Sequence, residues 1–442
     1  MRQFGWLPWV ACVMFAPLDL ATSTPSVETL YSFQGPPNDG SVGGPLVMGP
    51  GGTIYGVTLE GGVVIGGGLF AAGCGTVFEL TPPALTGGAW TETVLYEFTG
   101  ANGDGAWPTG VVLGGDGTLY GTTEFGGGAN CAPYGCGTVF RLTPPAEAGG
   151  GWTETILHSF AGQDGDGIGP YGPPVLGADG VLWGTTVEGG TGVVGAATCG
   201  TVYELAPGPD GAWVERVLYS FTGQNGDGAD PFGSLVMGAG GALFGTTSNG
   251  GTTAFPDGYG TVFELWPPAA AGGQWTEKIL YSFGGPAAGD GFEPMGTLII
   301  GGRSELYGTT VVGGANAAYD CALGCGTAFE LTPPTARGGA WTETILHDFA
   351  SGKDGSAPYA GLAMGTDGAL YGATIQGGQG CLYGCGVVFG IAPPASAGKP
   401  CDEHVLHEGG QTAAVTIGKD GLIYGGFSAG AYGFGAVVRL TP

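Results

Sequence analysis

Positive charge is scarce in this sequence. The chain contains 10 Lys and Arg residues against 37 Asp and Glu residues, which gives a formal net charge of −27. The few basic residues are scattered singly, so no basic patch is expected to attract phosphate groups. This composition excludes nucleic acid and anionic membrane surfaces as partners. A cationic ligand, a neutral sugar or a divalent cation is compatible with it.

Long apolar runs are also missing beyond the N-terminus. No later segment has the roughly 18 uninterrupted apolar residues that a membrane-spanning helix needs, so we expect no membrane insertion of the mature chain. The first residues combine Arg2, an apolar run and small residues up to Ser23, which predicts a signal peptide over residues 1–25. The remaining protein is expected to be secreted or periplasmic, and monomeric.

Histidine and cysteine are few, with 4 and 10 residues. Cys12 belongs to the predicted signal peptide, and Cys74, Cys199 and Cys401 have no obvious partner. In an oxidising compartment, close cysteine pairs without a nearby histidine favour short-loop disulfides over zinc sites. Three such pairs are present: Cys131 and Cys136, Cys321 and Cys325, and Cys381 and Cys385.

The abundant residues form a repeat. Glycine contributes 99 residues, yet 43% of the chain is hydrophobic, which is too apolar for a disordered chain. The phrase "LYSF" or a variant recurs every 60 to 66 residues: it ends at Phe33, Phe98, Phe160, Phe221, Phe283 and Phe349, and a degenerate seventh copy, "VLHEG", ends at Gly409. The phrases "LYGTT" and "GTVFEL", counted with their variants, each occur seven times. The chain therefore consists of seven units of about 60 residues.

Each unit contains four short runs rich in Val, Thr, Tyr and Phe, bounded by Gly, Pro and Asp. In the second unit these runs are "TGVVLG", "GTLYGTT", "GTVFRLTP" and "WTETILHSF". The pattern predicts an all-β protein, a seven-bladed β-propeller of four-stranded antiparallel blades that forms one domain over residues 26–442. A parallel β-helix would use shorter repeats, and a linear array would need distinct polar caps at its ends.

The phase of the repeats indicates how the ring closes. After the predicted signal peptide the chain begins with "VETLYSF", which is the fourth strand of a unit, and it ends with "GLIYGG" and "AVVRLTP", which are second and third strands. The two ends together supply one blade. We therefore expect the N-terminal strand to join the C-terminal blade.

The phrases "GTVFELTPP", "GGAWTETVLYEF" and "LYGTT" resemble the GloVer (Gloeo/Verruco) tandem repeat of exported bacterial proteins, over residues 27 to 442. The resemblance implies an exported repeat protein, often with a C-terminal surface anchor, and it implies no particular reaction or ligand. This sequence stops at Pro442 directly after the last strand phrase, which favours free secretion or a periplasmic location over surface attachment.

Two sets of residues could form a ligand site at one end of the ring, in the loops that join one blade to the next. An aspartate recurs before glycine in these loops, where it would either stabilise a turn or contribute to a ring of calcium ligands. Aromatic residues follow, and they would either pack between blades or stack on sugars. The aspartates are Asp39, Asp104, Asp166, Asp227, Asp290 and Asp354, and the aromatic residues are Trp107, Tyr171, Phe232, Phe292 and Tyr359.

The loops between second and third strands vary most in length and hold the cysteine pairs, so disulfides there would stiffen a recognition surface or protect against proteolysis. We find no catalytic constellation. The four histidines, His158, His347, His404 and His407, lie on or beside fourth strands, and two of them replace the tyrosine of "LYSF". They are interpreted as drift of the repeat.

The preferred hypothesis is an exported binding module whose ligand, a glycan or a protein, lies on the face with the Asp-Gly and cysteine loops. The alternative is an extracellular polysaccharide hydrolase or lyase that uses carboxylates at the channel mouth. An enzyme must break the sevenfold equivalence with unlike polar residues, whereas a module can keep it. A structural role in a matrix is a third possibility. No cofactor other than calcium is suggested.

Overall fold

The structure is a computed structural model. It describes residues 25–36, 38–64, 70–85, 87–128, 130–147, 149–194, 197–252, 258–270, 272–316, 318, 321–336, 338–378, 385–392, 401–409, 412–427 and 431–441. The predicted signal peptide, residues 1–25, lies outside these residues except for Pro25. Within the described ranges no helix has the length and apolar character needed to cross a membrane.

Seven four-stranded antiparallel sheets form the blades of a ring, which confirms the predicted fold class. Strands are given from the innermost to the outermost. Blade 1 contains Ser41–Met48, Ile54–Glu60, Thr76–Thr81 and Thr91–Glu97. Blade 2 contains Gly105–Leu113, Leu119–Gly126, Thr138–Thr143 and Thr153–Ser159. Blade 3 contains Val175–Leu176, Leu182–Thr186, Thr201–Pro207 and Trp213–Ser220.

The remaining blades repeat this order. Blade 4 contains Val236–Met237, Leu243–Thr247, Thr261–Trp266 and Thr276–Ser282. Blade 5 contains Ile299–Ile300, Leu306–Thr310, Thr327–Thr332 and Thr342–Asp348. Blade 6 contains Ala363–Met364, Leu370–Ala373, Val387–Ala392 and Asp402–Glu408. Blade 7 contains Thr412–Ile417, Ile423–Phe427, Ala436–Thr441 and Ser26–Ser32.

The loops contain further short elements of secondary structure. Two-residue strands pair Gly167–Ile168 with Glu188–Gly189, Val193–Val194 with Ala197–Thr198, Gly228–Ala229 with Asn249–Gly250, and Gly291–Phe292 with Val312–Gly313. Single 3-10 turns occur at Pro50–Gly52, Ala239–Gly241, Pro286–Ala288 and Gly352–Asp354.

The N-terminal strand closes the ring as predicted. Ser26–Ser32 pairs antiparallel with Ala436–Thr441 along its whole length, and Arg439 forms an ion pair with Glu28 across this pairing. On the inner side of the closure, the Thr416 hydroxyl of blade 7 donates to the Leu46 carbonyl of blade 1 at 2.8 Å. The closing blade is therefore joined to its neighbour by hydrogen bonds as well as by packing.

An aromatic contact repeats between neighbouring blades. A buried phenylalanine follows the fourth strand in six of the seven blades, and its ring packs edge-to-face on an aromatic ring of the next blade's third strand, with centroids 4.9–5.2 Å apart. The pairs are Phe33 with Phe78, Phe98 with Phe140, Phe160 with Tyr203, Phe221 with Phe263, Phe283 with Phe329, and Phe349 with Phe389.

The glycine of "LYGTT" makes room for this contact. A Cβ atom at Gly245 would lie 2.5 Å from Cζ of Phe263, which is shorter than any tolerated contact. The threonine after it then reaches inward: the Thr185 hydroxyl donates to the Gly233 carbonyl of the next blade at 3.1 Å, and Thr309 donates to Ala360 at 2.8 Å. One short phrase thus contributes to both packing and hydrogen bonding between blades.

The interface between blades 6 and 7 departs from the repeat. Gly409 follows the fourth strand where phenylalanine is expected, and Val438 stands where the third strand usually has an aromatic ring. Phe427 fills this interface instead: it pairs with Ala436, is 2% exposed and lies 5.6 Å from the His407 ring. The equivalent position in blade 1 is Thr58, opposite Thr76. The missing ring is therefore replaced from the opposite side of the interface.

Ring closure in solution is tested by Phe33→Ala, which removes the aromatic ring at the closing interface. We expect the free energy of unfolding to fall by about 3–5 kcal/mol, the usual cost of deleting a buried phenylalanine ring. Phe98→Ala is the matched control at an interface within the continuous chain, and denaturant unfolding measures both. A large loss for Phe98→Ala with none for Phe33→Ala would mean that the N-terminal strand does not close the ring.

Candidate functional site

Two sets of loops meet at one end of the ring, which we call the upper face. They are the loops that lead from one blade to the next and the loops between second and third strands. Backbone hydrogen bonds join them: Gly190 N–H donates to Asp166 O at 2.9 Å, and Gly251 N–H donates to Asp227 O at 2.9 Å. The loop aspartates, the predicted aromatic residues and the cysteine pairs therefore share this end of the molecule.

Each loop aspartate lies beside an outermost strand. Asp227 is representative: its carboxylate accepts hydrogen bonds from Thr222 N–H at 2.8 Å, the Thr222 hydroxyl at 2.7 Å and Gly228 N–H at 2.8 Å. Asp39, Asp104, Asp166, Asp290 and Asp354 accept N–H groups of their own loops in a similar way. The six carboxylates thus order six loops at six blade interfaces, and these hydrogen bonds do not gather them around the channel.

A glutamate faces each of these aspartates from the next blade. It is the second residue of the "TE" in the fourth strand, and its Oε1 atom is buried without a hydrogen-bond partner in the described part of the chain. The glutamates are Glu92, Glu154, Glu215, Glu277, Glu343 and Glu403. Sequence reasoning missed them, although glutamate recurs even where the residues around it change, as in "WVERVLYSF" and "CDEHVLHEG".

Burial raises the pKa of these glutamates. Desolvation, followed by the negative charge of Asp227, raises the pKa of Glu277 to about 8. Desolvation raises that of Glu343 to about 7, again with a smaller contribution from its aspartate, Asp290. Ionisation at this position is therefore penalised, because the Oε1 atom is shielded from water and accepts no hydrogen bond.

The predicted aromatic residues separate into two groups. Tyr171, Phe232 and Tyr359 come from blades 3, 4 and 6 and meet across the channel. The Tyr171 and Phe232 rings lie 5.2 Å apart, and the Tyr359 and Tyr171 hydroxyls lie 3.3 Å apart. These three residues follow the loop proline, and this register directs them to the axis of the ring.

Trp107 and Phe292 stand before the loop proline and take other positions. The Trp107 ring packs on Phe125 at 5.4 Å and on Phe70 at 6.4 Å, between blades 1 and 2. Phe292 packs on Tyr259 at 5.6 Å, between blades 4 and 5. The five predicted residues therefore do not form one rim.

The residue directly before the loop proline has a left-handed backbone in several blades. Trp107, Asp230, Glu293 and Ala357 have φ angles of 55–57°. Each is held by an N–H bond to the preceding blade, such as Glu293 N–H to Tyr259 O at 3.2 Å. Such conformations cost about 1–3 kcal/mol in side-chain-bearing residues and persist only where the surroundings enforce them. This position carries a different side chain in each of these blades, so it breaks the equivalence of the repeat.

A cleft of about 370 Å³ opens on the upper face between blades 4 and 5. It is lined by Asn249, Gly258, Tyr259, Pro286, Phe292, Glu293 and Leu323. Leu323 is 62% exposed and belongs to the loop closed by the Cys321–Cys325 disulfide. The cleft therefore combines an aromatic wall, an amide, a carboxylate and an apolar residue on a cross-linked loop.

The polar groups of this cleft are linked to a second carboxylate. The Asn249 amide donates to Asp230 Oδ2 at 2.8 Å. Burial raises the pKa of Asp230; the Asn249 hydrogen bond opposes this rise, and the charge of Glu188 adds to it. Burial also raises the pKa of Glu293. Two carboxylates with different surroundings thus lie at and beside the cleft.

The disulfide prediction is confirmed for two pairs, Cys131–Cys136 and Cys321–Cys325. Cys385 is also disulfide-bonded, and its predicted partner, Cys381, lies outside the described residues. Cys74, Cys199 and Cys401 are unpaired in the described part of the chain. The cross-links lie in upper-face loops, where they restrain the exposed side chains between the cysteines.

Comparison with known proteins identifies the repeat. The model of the Gloeobacter/Verrucomicrobia repeat matches residues 71–322 and 254–442. No curated protein matches the sequence.

Several solved structures are similar in fold. A catalytically inactive variant of virginiamycin B lyase from Staphylococcus aureus with quinupristin shares 15% identity over 95% of this chain and 99% of that chain, with a TM-score of 0.53. A glucose dehydrogenase shares 14% identity over 94% of this chain and 99% of that chain, with a TM-score of 0.41. Trypanosoma rangeli sialidase shares 10% identity over 95% of this chain and 60% of that chain, with a TM-score of 0.40. At these identities the similarity concerns the fold alone.

The buried glutamates predict how stability depends on pH. In the folded state these glutamates keep their protons up to about pH 7 to 8, whereas in the unfolded state they lose them above the ordinary glutamate pKa. Their contribution to the free energy of unfolding is therefore fully present below about pH 4.5 and is lost as the pH rises through 7 to 8. We expect Glu277→Gln to raise the melting temperature at about pH 8.5 and to leave it nearly unchanged at about pH 5. Glu147→Gln, at an exposed loop position, is the control. A melting temperature equally insensitive to pH in all three proteins would contradict this assignment.

Proposed function

The chain belongs to the Gloeobacter/Verrucomicrobia repeat family, and from this premise we propose that it is an exported binding module that holds a neutral or cationic glycan in the cleft between blades 4 and 5. The observation that carries the proposal is the combination of Tyr259, Phe292, Asn249 and Glu293 in one open cleft of the upper face. Membership of the family assigns no reaction, so the argument depends on these side chains.

The chemistry of the cleft suits a sugar. The apolar faces of sugar rings pack on aromatic side chains, and their hydroxyl groups bond to amides and carboxylates. Tyr259 and Phe292 supply the apolar wall, while Asn249 and Glu293 supply hydrogen-bonding groups. Acidic sugars would be repelled by Glu293, by the nearby Asp230 and by the net charge of −27. We therefore expect neutral or amino sugars to be preferred.

The upper-face disulfides support export. Disulfides persist in oxidising compartments and are rare in reducing ones. The Cys321–Cys325 loop carries Leu323 at the edge of the cleft, so its cross-link would hold the edge in place before a ligand arrives. Preorganisation of this kind lowers the entropic cost of binding.

A polysaccharide-cleaving enzyme is the second candidate, because two unlike carboxylates lie at this site. Glu293 is partly buried with a raised pKa, as a general acid requires, and Asp230 accepts a hydrogen bond from Asn249. Glycoside cleavage commonly uses two carboxylates in different environments. Such an enzyme would release products from the glycan that the cleft binds.

Binding is tested with a glycan array followed by calorimetry on the purified protein. We expect saturable binding of a neutral or amino-sugar glycan, with affinity reduced about tenfold or more by Phe292→Ala and by Glu293→Ala. The repeat itself has Ala229 and Ala357 at the equivalent positions of other blades, so both variants are expected to fold. Ile168→Ala, the equivalent change in blade 3, is the control and should leave binding unchanged.

The outcomes separate the candidate functions. Binding without release of new sugar ends supports the module, and release that Glu293→Ala abolishes supports the enzyme. Glycan binding that survives both cleft variants would place the ligand elsewhere. Absence of glycan binding, with capture of an extracellular protein that is lost in the same variants, would assign the cleft to a protein ligand.

A further inference from the structure

At the outer end of the blade interfaces, which we call the outer wall, the loop aspartate faces the fourth-strand glutamate. A histidine joins this acidic pair at two interfaces. Between blades 5 and 6, His347 Nε2 lies 2.9 Å from Asp354 Oδ1, and Glu403 completes a group whose donor atoms all lie within 4.8 Å of one another. Between blades 2 and 3, His158, Asp166 and Glu215 form the same arrangement, with His158 Nε2 and Asp166 Oδ1 3.4 Å apart. Each group therefore presents one imidazole nitrogen and two carboxylates at one point.

Four other interfaces have tyrosine in place of the histidine. There the tyrosine hydroxyl can serve as a donor to the aspartate, as Tyr31 does to Asp39 at 2.7 Å and Tyr281 does to Asp290 at 2.9 Å. A neutral phenol of this kind is a poor metal ligand, whereas a neutral imidazole supplies a nitrogen lone pair. Each histidine makes the corresponding hydrogen-bond contact to its aspartate, and once its Nε2 atom loses the proton the imidazole, unlike the phenol, supplies a nitrogen ligand beside two carboxylates.

The glutamate of each group contributes an oxygen that is free to accept a further partner. Oε1 of Glu403 and Oε1 of Glu215 are buried and accept no hydrogen bond in the described part of the chain. Buried carboxylate oxygens are normally satisfied by a donor or a cation. The same oxygen is unpartnered at the tyrosine interfaces, so the imidazole is what distinguishes these two groups as sites for a transition metal.

We propose that His347, Asp354 and Glu403 bind one divalent transition-metal ion and that His158, Asp166 and Glu215 bind a second. One imidazole and two carboxylates match Zn²⁺, with water completing the coordination. The side chains of His347 and Asp354 are 20% and 22% exposed, so an ion can reach them from solvent. Each ion would link the fourth strands of two neighbouring blades through the loop between them.

The repeat supplies the matched variants for a test. His158→Tyr and His347→Tyr introduce the residue that four other interfaces already use, so the fold is expected to be retained. Zn²⁺ is titrated by calorimetry into the full chain after removal of metal with a chelator. We expect the number of bound ions to fall by one in each single variant and by two in the double variant. Zn²⁺ should raise the melting temperature of the unchanged protein more than that of the double variant.

The converse variant tests sufficiency. Tyr281→His places an imidazole beside Asp290 and Glu343, and we expect it to add one bound ion. Other residues that could bind Zn²⁺, such as Cys401 and His404, are unchanged in every variant, so differences in stoichiometry report on these sites alone. Equal Zn²⁺ stoichiometry in the unchanged protein and the double variant, or no saturable binding up to millimolar Zn²⁺, would overturn the proposal. The measurement uses no glycan, so it is independent of the proposed function.

Discussion

The fold depends on the edge-to-face contact between a phenylalanine of one blade and an aromatic ring of the next. A four-stranded blade has two faces and cannot bury either alone, so each blade needs a neighbour on both sides. Phe221, for example, is fully buried, and Phe263 of blade 4 packs against its ring. Each buried ring of this kind is worth about 1.5–3 kcal/mol relative to exposure. In a linear array, each terminal blade would leave one face without a neighbour. Here the strand Ser26–Ser32 completes blade 7 and closes the ring, so every blade has a neighbour on both sides.

Much of this architecture could be predicted from the sequence, because each blade packs against the next in the same way and therefore uses nearly the same sequence phrase. The fourth strand, its terminal phenylalanine and the glycine opposite the ring all recur in register, and the phase of the chain ends then predicts the closure. The interface between blades 6 and 7 could not be predicted in detail. Phe427 supplies the ring that is missing at Gly409, and it does so from a position that threonine occupies in other blades. A comparison of the repeats shows that both residues differ from the other copies but does not show that one compensates for the other.

The candidate site was less accessible to sequence reasoning. Tyr171 directly follows its loop proline and reaches the channel, whereas Phe292 lies two residues before its loop proline and lines a cleft. A left-handed residue directly before the proline lies between these two positions, and its φ angle cannot be recognised in Asp230 or Glu293 from the sequence alone. The cleft is formed where residues of two blades, Tyr259 and Phe292, come into contact, and no local sequence pattern indicates this contact.

The two ends of the blade interface therefore carry different amounts of variation. Near the channel, the position before the proline changes from Trp107 to Asp230 to Glu293, and this is where selective recognition can arise. At the outer wall the aspartate and glutamate recur at six interfaces, although the glutamate oxygen is buried and unpartnered. Repetition of an unfavourable group indicates that it is tolerated by the same local structure each time. An acidic pair that is already in place needs only one imidazole to become a metal-binding set, and His158 and His347 are the two positions at which the chain supplies it.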